Sequence, residues 1–205
     1  MLKSSKSKLS VCVFCGAQNA VPQHFLEAGR EFGQRLAENN IALVYGGGDC
    51  GVMGAVANAV LYHNGWVTGV FPENLRQLEQ EHHALSKIII VDSMHTRKEI
   101  MYRKSDLFVI FPGGFGTMDE MFEIITWRQL RLHHKPILIF NQNGYWDHLI
   151  KLMENIIETG FARPETYSFY KVVNTLEELM EYISTYAAEG HNDSVEKDQT
   201  LEPVK

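Results

Sequence analysis

The sequence predicts a single α/β domain, a Rossmann-like doubly wound parallel sheet with helices on both faces, and three observations carry that prediction. Short β-branched or aromatic runs alternate with amphipathic stretches along the chain, the order that builds βαβ units with right-handed crossovers. The runs IALVY, KIIIV and LFVIF are almost continuously apolar, as strands covered on both faces are. No internal repeat or mid-chain linker breaks the pattern, and 205 residues suit one domain with a substantial core.

Taken in order, residues 1–8 are basic and polar and are expected to be flexible. A strand over 9–15 (LSVCVFC) precedes a helix over 22–39. A strand over 41–45 then runs through glycines into a helix over 51–63. Strands follow over 66–71, its end shaped by Pro72, and over 87–91 (KIIIV), with a helix over 94–104 after them. The strand at 107–111 ends at Pro112, three glycines follow, and a helix is expected over 117–132. The remaining elements are a strand over 136–140, a helix over 145–159, a short strand over 168–173 and a helix over 175–188. From 189 the tail is polar, charged and without periodicity, the composition of a disordered segment.

Composition narrows the function. At 45% hydrophobic and 21% charged the chain matches globular averages, so most of it should fold. A net charge of −6 argues against nucleic-acid binding through bulk electrostatics, but backbone dipoles with a few cations still suffice for a small anion. No apolar run reaches the roughly 18 residues needed to span a bilayer, and the apolar run after the start is too short for a secretory signal. The expectation is a cytoplasmic protein without membrane or nucleic-acid partners. The three cysteines are too few and too odd for a disulfide framework. Cys12 and Cys15 spell C-x-x-C, but on a strand such residues face opposite sides, so both read as buried small residues. His82-His83 and His133-His134 are adjacent pairs without helical ligand spacing, and they read as surface residues rather than metal ligands.

In such sheets ligands bind beyond the carboxyl ends of the strands, and four strand ends carry unusual chemistry. Cys15-Gly16-Ala17-Gln18 offers a tight turn or a close backbone approach. Tyr45 to Gly54 (YGGGDCGVMG) matches G-x-G-x-x-G between strand and helix and reads as an anion site, with a dinucleotide such as NAD as the runner-up ligand. Met94-His95-Thr96-Arg97-Lys98 places adjacent cations at a helix start, against the macrodipole, which makes best sense facing an anion. Pro112-Gly113-Gly114-Phe115-Gly116-Thr117 is a phosphate cradle without the Walker lysine, which disfavours triphosphate and magnesium chemistry. Thr117-x-x-Glu120 also spells a capping box. Helical phase puts Met118, Met121, Phe122, Ile125 and Leu132 on one sheet-facing stripe, and Glu120, Ile124, Trp127 and Arg131 away from it. Trp127 and Leu130 then need cover, for which a second subunit is the natural source.

With M-H-x-R-K and P-G-G-x-G-T-x-x-E both present, the chain resembles the LONELY GUY (LOG) family of cytokinin riboside 5′-monophosphate phosphoribohydrolases, formerly mislabelled lysine decarboxylases. The likeness runs from about Val11 to Glu178 and includes FCG, YGGG..GVMG, MHTRK, SDLFVIFPGGFGTMDEMFEIITW, HKP and NGYWDHL. It implies an AMP-like substrate, no cofactor, and a homodimer with sites at the subunit boundary. Arg97 and Glu120 match the family's catalytic positions. Glu79, Lys98, Gly113, Gly114, Phe115, Gly116, Thr117 and Thr126 match substrate-contacting ones, with Gly16 and Gly47 added from the other two glycine turns. Glu81 is an alternative to Glu79, and Ala17 departs from a frequent hydroxyl residue. The expected reaction cleaves the N-glycosidic bond of AMP or N6-prenyl-AMP. A carboxylate, Glu120, would stabilise the oxocarbenium-like state or activate water. A non-catalytic AMP-binding protein of the same fold is the alternative.

Overall fold

The computed structural model describes residues 9–75 and 81–189. Its elements are β1 (Leu9–Phe14), α1 (Gln23–Glu38), β2 (Ile41–Tyr45), α2 (Gly51–Tyr62), β3 (Val67–Pro72), β4 (Lys87–Val91), α3 (Met94–Arg103), β5 (Leu107–Ile110), α4 (Phe115–Gln129), β6 (Ile137–Phe140), α5 (Asp147–Glu158), β7 (Lys171–Val173) and α6 (Leu176–Ala188). All neighbouring strands pair in parallel, in the order β4-β3-β2-β1-β5-β6-β7. From β1 the chain winds outward to β4, returns beside β1 as β5, and winds outward again on the other side. The β1–β5 junction is therefore the topological switch point, where a crevice opens beyond the strand ends.

Apolar side chains fill both faces. Phe32, Leu36, Val56, Val60, Leu179 and Ile183 from α1, α2 and α6 cover one side, while Met101, Met121, Ile125 and Met153 from α3, α4 and α5 cover the other. Cys12 belongs to one of these cores and Cys15 to the other. The strand pleat thus separates the C-x-x-C thiols, both buried and free.

The structure corrects several expectations. KIIIV forms the edge strand β4, so Ile88 and Ile90 stay 37% and 38% exposed instead of being covered on both faces. The predicted strand over 168–173 shrinks to Lys171–Val173, because Pro164–Ser168 forms a 3-10 turn. One histidine of each adjacent pair is buried, not at the surface: His82 is 3% exposed and His133 2%. His133 accepts the Lys135 N–H at Nδ1, 3.1 Å, and donates from Nε2 to the Ile124 carbonyl, 2.8 Å. Burial pushes its pKa down to about 4, so it is a neutral tie between α4 and the approach to β6. Of the expected flexible ends, residues 1–8 and 190–205 lie outside the described residues.

Candidate active site

The loop after β5 closes onto the loop after β1 at the switch point. The Gly16 N–H donates to the Pro112 carbonyl at 3.1 Å. A Cβ on Gly113 would stand 2.1 Å from Thr117 Oγ1 and 2.8 Å from the Gly16 nitrogen, so only glycine fits between them. At Gly114 and Gly116, by contrast, a Cβ would meet nothing within 4 Å among the described residues beyond its chain neighbours and the helix's own backbone, leaving open space there.

Helix α4 begins at Phe115 with Gly114 as its N-cap and no side-chain capping bond. This overturns the capping-box reading, which placed the start at Thr117. Thr117 is instead the third helical residue, 3% exposed. The first bond onto the preceding turn is Met118 N–H to Gly114 O at 3.1 Å, so the N–H groups of Phe115, Gly116 and Thr117 precede the helix ladder. An uncapped helix start with open glycines is an anion cradle: main-chain donors converge where the macrodipole is positive.

The second glycine run behaves differently. The N–H groups of Val52 and Met53 donate to the Gly16 carbonyl at 3.0 and 3.3 Å, and that of Gly51 to Asn19 Oδ1 at 2.8 Å. The protein itself occupies the start of α2, so the expectation of an anion site there is corrected. The dinucleotide reading loses its pyrophosphate seat with it. Gly47 is a turn residue with φ of +84°, and its carbonyl accepts the His82 N–H at 3.0 Å.

Arg97 reaches the crevice from the first turn of α3, after the N-cap Ser93. It is 6% exposed, donating from Nε to Val70 O at 3.2 Å and from Nη2 to Gly46 O at 2.9 Å. It thereby ties together the carboxyl ends of β2 and β3. These two carbonyl dipoles, with the Met94 sulfur 3.8 Å from Nη1, face the buried cation. Glu120 is half-buried in the second turn of α4. The Cys15 thiol is pushed up by burial and further by Glu120, while Arg97 opposes the rise. Both charges are thus felt by one side chain just beyond β1.

Lys98 does not face an open anion seat. Its Nζ lies 3.1 Å from both Asp119 Oδ2 and Glu123 Oε1 and clamps α3 to α4. Burial lowers its pKa, but the Glu123 and Asp119 carboxylates outweigh this and hold it above the usual lysine value. Thr126 is exposed, six residues beyond Glu120, which is about 9 Å along the axis and about 120° round it. Glu79 lies outside the described residues. The α4 stripe also needs correction: Met121, Ile124 and Ile125 are buried while Phe122 and Leu132 are 36% and 60% exposed. Trp127 is half-buried, edge-on to Tyr102 at 5.3 Å. Sequence reading missed the Asp119 and Glu123 partners of Lys98, the Asn19 contact, and Tyr145, whose hydroxyl donates to Gly113 O at 2.7 Å.

Residues 53–183 match the family model described as "Possible lysine decarboxylase". A rice (Oryza sativa subsp. japonica) protein named probable cytokinin riboside 5′-monophosphate phosphoribohydrolase LOGL5 is 39% identical over 182 residues, covering 89% of this chain and 74% of that one. The Arabidopsis thaliana cytokinin riboside 5′-monophosphate phosphoribohydrolase LOG3 is 37% identical over 183 residues, covering 89% of this chain and 85% of its own. This chain belongs to the LOG family. Solved structures share the fold at lower identity. A molybdenum cofactor binding protein from Rippkaea orientalis superposes with a TM-score of 0.68 at 19% identity, covering 88% of this chain and 98% of that one. A molybdenum cofactor carrier protein from Chlamydomonas reinhardtii gives 0.66 at 18%, with the same coverage.

Two lysines of this LOG chain, Lys98 and Lys135, do not suit the decarboxylase wording. Lys98, beside the cradle, is held protonated by two carboxylates, which makes it a poor amine nucleophile. Lys135 has its pKa lowered by burial to about 8, but its Nζ donates to Tyr102 O at 2.7 Å. It lies two residues before β6, at the amino end of that strand, the end opposite the cradle.

Proposed function

We propose that this chain hydrolyses the N-glycosidic bond of an adenine-type nucleoside 5′-monophosphate, AMP or its N6-prenyl form, releasing the free base and ribose 5-phosphate. The observation that carries the reading is the uncapped start of α4 at the switch point, with Glu120 in the second turn of the same helix and Arg97 held on the Gly46 carbonyl beyond β2. The 5′-phosphate sits on the N–H groups at Gly114–Thr117, with Gly113 and Gly16 closing the floor. As the bond breaks, its electron pair leaves with the base and positive charge grows on the ribose. Glu120 stabilises that charge and orients the water that adds to C1′, whose proton ends on the departing base. Arg97, a buried guanidinium, offsets the negative charge of phosphate or leaving base. Lys98 offsets part of the negative charge of Asp119 and Glu123, which would otherwise repel the anion more strongly. A base-release assay on AMP, isopentenyl-AMP, GMP and CMP tests this. Free adenine or prenyladenine is expected, and intact AMP after prolonged incubation would leave the AMP-binding, non-catalytic reading in its place.

The active form is a homodimer covering α4. Phe115, Phe122 and Leu130 are 88%, 36% and 63% exposed, and at 100° per residue they fall on one stripe with Thr126. An exposed apolar stripe beside the cradle suits a second copy, and it gives Thr126 a substrate to reach in the partner's site. Sedimentation at micromolar concentration should show a dimer that Phe122→Glu dissociates. A wild-type monomer with full activity would sink this reading.

A further inference from the structure

The segment Asn141-Gln142-Asn143-Gly144-Tyr145-Trp146-Asp147 has no part in the chemistry above, yet it is tightly built. Asn141 is 7% exposed; its Oδ1 accepts the Trp146 N–H at 2.8 Å and its Nδ2 donates to Asp147 Oδ1 at 2.8 Å. Its own N–H is held by the Val173 carbonyl at 2.8 Å. Asn143 and Gly144 turn the chain through φ of 52° and 74°. The 4% exposed Trp146 anchors the turn in the core that packs α3, α4 and α5 on the sheet. What this construction presents is Tyr145. Its ring lies edge-on to Phe25 at 5.4 Å and to Trp146 at 4.7 Å, and its hydroxyl donates to the Gly113 carbonyl at 2.7 Å.

We propose that Tyr145 is a positioning residue of the anion cradle, one that fixes the peptide between Gly113 and Gly114. The inference rests on reading the start of α4 as the phosphate seat. A peptide flanked by two glycines has little steric resistance to flipping. In a trans peptide C=O and N–H point in opposite directions. While Tyr145 holds the carbonyl on its own side, the Gly114 N–H faces the other side, with the donors of the helix start. A flipped peptide would aim a carbonyl oxygen at the phosphate, replacing attraction by repulsion. Tyr145 touches no reacting atom; it keeps one donor of the cradle in the binding orientation.

Tyr145→Phe keeps both ring contacts and removes only the hydroxyl. Calorimetric titration of AMP, and of adenosine as the phosphate-free control, reads the effect directly. Kd and KM for AMP should rise about fivefold to tenfold, the loss of one hydrogen bond's worth of orientation. Affinity for adenosine and the thermal midpoint should stay at wild-type values, and kcat should fall less than KM rises. Equal weakening of AMP and adenosine, or unchanged AMP affinity, overturns the assignment. If the wild-type protein binds AMP no tighter than adenosine, the cradle itself is misplaced and the proposal falls with it, an outcome distinct from a silent variant.

Discussion

Glu120→Gln should lower base release from AMP by at least about 10³-fold while AMP affinity stays within about threefold, as expected when a carboxylate acts on charge that forms only in the transition state. On the proposed reading the ground-state nucleotide would be held by main-chain donors and by Arg97, none of which the substitution removes. The amide matches the carboxylate in size, so a half-buried position on α4 is repacked without a cavity. What disappears is the negative charge whose field helps lift the Cys15 thiol, and with it the stabilisation of a cationic ribose. Adenine release followed by chromatography, alongside calorimetric AMP binding, separates the two effects. Turnover within tenfold of wild type would remove Glu120 from the chemistry. Equal loss of binding and turnover would make it a substrate anchor instead.

The sequence made the sheet legible because its strands are apolar at successive positions, a pattern that only burial on both faces rewards. It misjudged β4, where three consecutive isoleucines look the same whether a strand is central or at an edge. Sheet order depends on crossovers that local periodicity does not encode. The start of α4 was misplaced for a different reason. Thr-x-x-Glu is a good capping signal, but here the helix starts two residues earlier, at Phe115, with Gly114 as its N-cap and without a capping side chain. A helix start without a capping side chain breaks the local rule for helix starts, and such breaks are expected at functional sites.

The two glycine runs illustrate a second limit. Both place glycines between a strand and a helix, and both read as anion sites. Whether the helix start is free depends on the β1 loop, whose Gly16 carbonyl and Asn19 side chain fill one start and leave the other open. Those contacts bridge more than thirty positions in the chain, Asn19 to Gly51 being 32 apart. Lys98 shows the same limit on a shorter scale: a cation at a helix start pointed to an anion, but its partners are carboxylates of another helix, Asp119 being 21 residues on.

Gly46→Ala should lower kcat/KM by at least about 10²-fold and cost about 2–4 kcal/mol of stability, although it deletes no functional group. A Cβ at this position would stand 1.9 Å from Arg97 Nη2 and 2.9 Å from its Cζ. The guanidinium must move, and it has little freedom to do so, being 6% exposed and bonded to the Val70 and Gly46 carbonyls. Displacement breaks hydrogen bonds to a charged group, each worth roughly 1.5–3 kcal/mol, and carries the site's buried cation out of position. Gly114→Ala serves as the control. Its added methyl meets nothing within 4 Å among the described residues beyond its chain neighbours and the helix's own backbone, so its unfolding free energy should stay near wild type while the methyl intrudes on the proposed phosphate seat. Denaturant unfolding and base-release kinetics on the two variants then report different things: loss of stability and activity together at Gly46, loss of activity alone at Gly114. A Gly46→Ala protein with wild-type stability and turnover would mean that Arg97 need not sit where the strand carbonyls hold it.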